Sequence, residues 1–186
     1  MNKMYIKPDH TTAYRIKEAR RKTGLTQKEF ADLINVSVPT VERWESSDKE
    51  IHGPVALLAD ILIRNPDLLE ERIVPEKEYP IRMWYMYKDQ VCTLIDADPA
   101  RQRIRIKNYQ DHLMFRAFGP VEQPSYRQYE AFLESRCFPR SRDKMKLILK
   151  ELQLPFYDPL MIVEKTEGRM AEDDFWIRVE NNDPIR

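Results

Sequence analysis

Between Leu25 and Ser47 the apolar positions recur one helical turn apart, Phe30 with Leu33 in one short piece and Val41 with Trp44 in the next. Each piece carries a single narrow stripe, which predicts a short amphipathic helix burying one face. Thr26 and Ser37 precede the two pieces as side chains able to accept from free backbone N–H groups, and Glu29 stands three residues after Thr26, the capping-box spacing. Only Ile34-Asn35-Val36 separates the pieces, room for nothing but a sharp turn, and asparagine tolerates the left-handed conformation such a turn needs. The pattern predicts helix, tight turn, helix, with Trp44 directed into the core. Upstream, Thr12 to Lys22 reads as an opening helix with Ile16 and Ala19 inward. Downstream, Ser46 to His52 reads as polar loop, and Gly53-Pro54 starts another helix because proline at the first helical position loses no needed N–H. Leu57, Leu58, Ile61 and Leu62 give that helix an apolar stripe able to roof the others or to meet a second subunit. Pro66 ends it, a short helical piece around Asp67 to Arg72 follows, and residues 75–80, Pro-Glu-Lys-Glu-Tyr-Pro, have the composition of a linker.

Beyond Pro80 the period changes from 3.6 to 2. Arg103-Ile104-Arg105-Ile106-Lys107 alternates, Ile81 to Tyr87 and Val91 to Ile95 are rich in aromatic and β-branched residues, and Asp96-Ala97-Asp98-Pro99 reads as a turn. A three- or four-stranded antiparallel meander to about Phe118 is expected. Helices then return, with stripes at Tyr126, Tyr129, Phe132 and Leu133, and at Met145, Ile148, Leu149 and Leu152 after a Ser141 cap. Asp158-Pro159 opens a third short helix to about Lys165, and Asp174 to Glu180 can return as a last strand. The expected architecture has two domains: an all-α helix-turn-helix domain over residues 1–74, and an α+β domain over 81–186 with a small antiparallel sheet and three helices.

The first of these, with Gln27 second in its helix, Ala31 at the crowded inter-helix position and Arg43-Trp44-Glu45 closing the next, resembles the Cro/C1 (XRE) family of helix-turn-helix regulators. Val41-Glu42-Arg43-Trp44-Glu45 followed by Gly53-Pro54-Val55-Ala56-Leu57-Leu58 is most similar to the HigA and MqsA antitoxin branch. The resemblance spans about Thr12 to Arg72, and departs from the family's usual glycine at Asn35. It implies a lambda repressor-like fold, double-stranded DNA as the partner, and a role for Gln27 at a phosphate or an outer base.

A helix in the major groove presents its N-terminal residues to base edges, which makes Val38, Pro39 and Arg43 the candidates to reach them. Arg43 has the geometry to donate twice to guanine O6 and N7, whereas Val38 and Pro39 offer apolar contact to a thymine methyl. Thr26, Lys28, Ser37 and Thr40 are placed for phosphate contact. The bland alternative for Arg43 is an ion pair with Glu42 or Glu45 on a solvated face. One such helix touches too few base pairs for specificity, so a homodimer on a palindromic operator with half-sites about 34 Å apart is expected.

Charge refines this picture. The 31 basic and 31 acidic residues cancel, which argues against nonspecific coating of nucleic acid. Arg15, Lys17, Arg20, Arg21, Lys22 and Lys28 nonetheless crowd into the first helices, a locally basic face suited to a few phosphates. No apolar run approaches the roughly 20 residues that span a bilayer, and the opening residues lack the apolar core of a signal peptide, so a cytoplasmic protein is expected.

Catalysis finds little support in the second half. All four glycines are isolated, so no loop is built to wrap a phosphate. Cys92 and Cys137 have no C-x-x-C partner, Cys137 with Arg140 and Arg142 lacks the spacing of a phosphatase loop, and His112 has no second histidine nearby. Neither an enzyme, a metal nor a cofactor is expected. Glu134 to Arg142 and Glu167 to Ile177 loosely resemble segments of proteins that accompany HipA-like kinases, where an R-x-x-P-x-S-R element and a G-x-x-x-x-D-x-(F/Y)-W-I element recur. That resemblance implies a toxin-antitoxin or phage-related module, with a toxin or another operon-encoded protein as partner; Arg136, Arg140 and Arg142 form a candidate surface for an acidic partner or for the DNA backbone, and a solvated turn is the alternative. The function expected is a transcriptional repressor that is the antitoxin and autoregulator of a two-gene operon. Its rivals are a phage-type or ligand-sensing repressor and, from a different class, an enzyme tethered to DNA.

Overall fold

The structure is a computed structural model and describes residues 4–180. Its backbone contacts divide into two compact units, Met1–Val74 and Pro75–Arg186.

In the first unit a two-residue strand β1 (His10–Thr11) precedes α1 (Ala13–Lys22), α2 (Gln27–Leu33), α3 (Val38–Glu45), strand β2 (Ile51–His52), α4 (Pro54–Arg64) and a 3₁₀ turn (Pro66–Arg72). Thr12 caps α1 by accepting from the Arg15 N–H, and Thr26 forms a full capping box with Glu29 at the start of α2. Asn35 takes the left-handed conformation (φ 56°) in the tight turn. Ile16, Ala19, Phe30, Ala31, Val41, Val55, Ala59 and Leu62 make the core, and Trp44 packs half-buried against it.

Four expectations are corrected in this unit. Ser37 occupies the N-cap position of α3 without capping it; its hydroxyl instead shares a 2.9 Å hydrogen bond with that of Thr40. Leu33 is 45% exposed, whereas Ala31 is fully buried in the core that α2 and α3 share. The polar stretch before Gly53 is not all loop: Ile51 is buried and pairs with Thr11 in a short antiparallel bridge. On α4 the expected stripe splits, since Leu62 is buried whereas Leu57 and Ile61 face outward.

The second unit is a four-stranded antiparallel sheet in the order β5-β4-β3-β6, built from β3 (Ile81–Tyr87), β4 (Gln90–Asp98), β5 (Arg103–Asn108) and β6 (Phe175–Glu180). Helices α5 (Tyr126–Ser135) and α7 (Pro159–Thr166) pack Tyr129, Phe132, Leu133, Ile162 and Val163 against Met83, Tyr85, Ile95 and Ile177 of the sheet. Alternation sends Trp84, Met86 and Leu94 to the opposite face, where Tyr109 and Trp176 join them. Among the described residues no helix is long and apolar enough to cross a membrane.

Asp96-Ala97-Asp98 continues β4 rather than turning. Asp96 is buried in a two-pronged ion pair with Arg82 across the strands, both contacts at 2.7 Å, and the chain reverses after Pro99. The sheet gains no strand between Asn108 and Phe118, where a single 3₁₀ turn at Leu113–Phe115 stands instead. Helix α6 (Met145–Glu151) begins at Lys144 in the left-handed conformation, not at a Ser141 cap. Within the segment of linker composition, the Glu78 N–H donates to Asp96 and its carboxylate pairs with Arg105, so the strands hold it.

Candidate nucleic-acid interface

The presentation of α3 depends on a buried charge clasp that starts from α1. Arg20 Nε lies 2.6 Å from Glu45 Oε1 and its Nη2 lies 3.0 Å from Oε2, while Nη1 donates to the Leu25 carbonyl at 2.9 Å. Gln27 Nε2 adds a third donor to Glu45, at 2.9 Å. Burial pushes the Glu45 carboxyl up, but the hydrogen bonds from Arg20 and Gln27 outweigh it and hold the group below the usual range. The last residue of α3 is thereby tied to α1 and to the first residue of α2, which fixes the angle at which α3 leaves the core.

That clasp changes the standing of several site residues. Gln27 is half-buried, and its amide nitrogen is committed to Glu45. Arg43 is exposed, and with Glu45 engaged elsewhere its guanidinium has no ion pair among the described residues. Pro39 stands exposed one turn before it, with Ser37 and half-buried Thr40 beside it. Val38, expected to point outward, is half-buried and packs against the core. Thr26 spends its hydroxyl on the Glu29 N–H at 3.2 Å, and Lys28 is exposed.

The expected basic face is smaller than the sequence suggests. Arg15 is paired with Asp60 at 2.7 Å, Arg20 with Glu45, and Lys22 with Glu18 at 3.5 Å. Lys17, Arg21, Lys28 and Arg43 are the cations of these helices without an ion pair among the described residues. The Arg20–Glu45 contact left no local signal, because the partners lie 25 residues apart.

In the second unit, the candidate partner surface is corrected at Arg136, which is only 7% exposed. Its guanidinium pairs doubly with Asp173 (2.7 and 3.0 Å) and donates to the carbonyls of Gly168 and Phe175. It is a structural clasp between the end of α5 and the approach to β6. Arg140 and Arg142 are exposed, Arg140 pairing with Glu134 at 2.9 Å and lying over the Tyr157 ring, and Arg142 lying over Phe138.

His112 accepts the Met114 N–H and caps the 3₁₀ turn. Both thiols are buried, and burial pushes that of Cys137 up to about 12. Among the described residues no cluster of three or more His, Cys, Asp or Glu is placed to hold a metal ion.

Residues 16–59 match a family model described as helix-turn-helix, from Ile16 of α1 to Ala59 of α4. That segment is a helix-turn-helix domain. The match supports the Cro/C1 resemblance and assigns the N-terminal unit sequence-specific DNA binding in a transcriptional regulator. The curated proteins and the solved structures compared with the chain gave no match.

Proposed function

We propose that the chain is a cytoplasmic repressor that binds as a homodimer to a palindromic operator upstream of its own gene, serving as antitoxin and autoregulator of a toxin–antitoxin-like operon. The observation that carries the DNA-reading half is Arg43, which is exposed on α3 of a helix-turn-helix domain with no acidic partner among the described residues to compete for its donors. Pro39 beside it supplies the apolar contact, and Lys28, Ser37 and Thr40 the phosphate contacts. For the dimer, Leu57, Ile61 and Leu68 leave 42%, 37% and 49% of their surface exposed. An apolar strip of this kind on a small domain suits a second copy of itself. The second unit takes the toxin, and the buried Cys137, its thiol pushed up by burial, is not poised as a nucleophile there.

Three measurements test this. Arg43→Ala loses about 1–3 kcal/mol of discrimination at one base pair per half-site, and equal weakening on every sequence would place Arg43 on phosphate instead. Leu57→Asp with Ile61→Asp converts the dimer to monomer in sedimentation; an unchanged dimer moves the interface to another surface. The adjacent gene product is toxic alone and forms a stoichiometric complex with the chain, and a harmless product would end the antitoxin role.

A further inference from the structure

Tyr126, Glu130 and Glu134 succeed one another at four-residue intervals on α5 and so share one face of that helix. This face, with Tyr157 and Asp158 at the start of α7, lines a cleft of about 620 Å³ in the second unit, within the range of small-ligand sites (roughly 300–1,000 Å³). Tyr129 lines it too; the residue is only 1% exposed, and its buried hydroxyl has no hydrogen-bond partner among the described residues. A buried donor left unpaired is uncommon, and a bound acceptor is one remedy for it. Burial raises the Tyr129 phenol, and the charges of Asp158 and Glu130 act in the same direction, so the group stays a protonated donor.

The rest of the lining specifies the ligand. At the rim, Arg140 lies over the Tyr157 ring (4.9 Å to the centroid) and pairs with Glu134, so carboxylate and aromatic face together already hold one cation. Carboxylates and an aromatic face recur along the cleft lining, at Glu130, Asp158 and Tyr126. The Tyr126 ring lies 5.3 Å from that of Tyr129, Glu130 has no ion pair among the described residues, and Asp158 commits one oxygen to the Met161 N–H. We propose that this cleft binds a small protonated amine carrying an adjacent oxygen, the ammonium group between Glu130, Asp158 and the Tyr126 ring and the oxygen accepting from the Tyr129 hydroxyl.

Calorimetric titration of the full chain at neutral pH with glucosamine, ethanolamine and serinamide tests the proposal, with N-acetylglucosamine as the uncharged counterpart. At least one of the three amines binds, and glucosamine is preferred to its acetylated form. Tyr129→Phe weakens binding by roughly three- to tenfold, the equivalent of one hydrogen bond, while melting no lower than the parent because it removes an unpaired oxygen. Glu130→Gln, at an exposed position that leaves the fold intact, weakens binding by about threefold. Silence from all three amines overturns the proposal, as does equal binding of the acetylated sugar. Undiminished binding by Tyr129→Phe also overturns it, and shows that the hydroxyl is held by an ordered water only.

Discussion

Glu45→Gln probes how α3 is held. The Glu45 side chain is 4% exposed and accepts three hydrogen bonds, two of them from the Arg20 guanidinium, whose own side chain is 15% exposed. Removing the negative charge leaves a largely buried arginine without its counter-ion, which for a buried pair costs about 3–5 kcal/mol. Arg20 keeps the Leu25 carbonyl and a narrow route to water, so the lower end, about 3 kcal/mol, applies. Hydrogen exchange at the Ala19 and Trp44 amides isolates this unit from the other, and that loss speeds their exchange by roughly a hundredfold. Arg20→Met alone and in combination with Glu45→Gln completes a cycle in which the pair couples by about 2 kcal/mol. The folded pKa of Glu45 is depressed, so its contribution is present above the unfolded value near about 4.3 and is lost as pH falls through the folded one. The wild-type unit therefore loses more stability in that acid window than Glu45→Gln does, the contribution of Glu29, held low by its Thr26 hydrogen bonds, being common to both. A cost under about 1 kcal/mol, or additive single changes, would refute the view that this clasp sets α3.

Gly168 has φ +57°, and a Cβ there would stand 3.2 Å from Arg136 Cβ and 3.3 Å from Ile177 Cδ1. Gly168→Ala should cost about 1–3 kcal/mol in denaturant unfolding of the second unit, more than Gly24→Ala, where nothing lies within 4 Å. Arg136→Met strands Asp173 and two carbonyls and should cost about 3 kcal/mol, whereas Arg140→Ala should stay within about 1 kcal/mol; equal costs in the same melts would return Arg136 to the surface. Cys137, with its thiol near 12, should resist iodoacetamide at pH 8 until the chain unfolds, a contrast read directly by mass spectrometry.

What was legible in the sequence was local. Thr26 with Glu29, Asn35 between two short stripes, and Gly53-Pro54 before α4 each act within a few residues, so their chemistry is visible in the string and recurs in the fold. Ile51 was not legible, because one apolar residue among polar ones has no period. Composition misled where a distant partner decided. Asp96 and Asp98 read as turn residues, yet Arg82 draws Asp96 into the sheet and Asp98 accepts the Arg101 N–H from inside the strand end. Arg136 looked like its neighbours Arg140 and Arg142 until the fold brought Asp173 to it from 37 residues away. The candidate site follows the same division. The placement of Arg43 and Pro39 came from helix phase, whereas the engagement of Gln27 by Glu45 and the loss of Arg15 and Arg20 from the basic face came from pairings between elements; the Glu18–Lys22 pair lies within α1 at a four-residue spacing visible in the sequence.

The central claim is that the N-terminal unit reads a specific DNA sequence at its own promoter, and a salt-titrated gel shift measures it most directly. The full chain is titrated onto the DNA upstream of its gene and onto shuffled DNA of equal composition. Discrete complexes with a preference of at least about a thousandfold, and a salt slope reflecting only a few phosphate contacts, are predicted. Equal and weak binding to both DNAs would contradict the account and leave the helix-turn-helix unit without an operator.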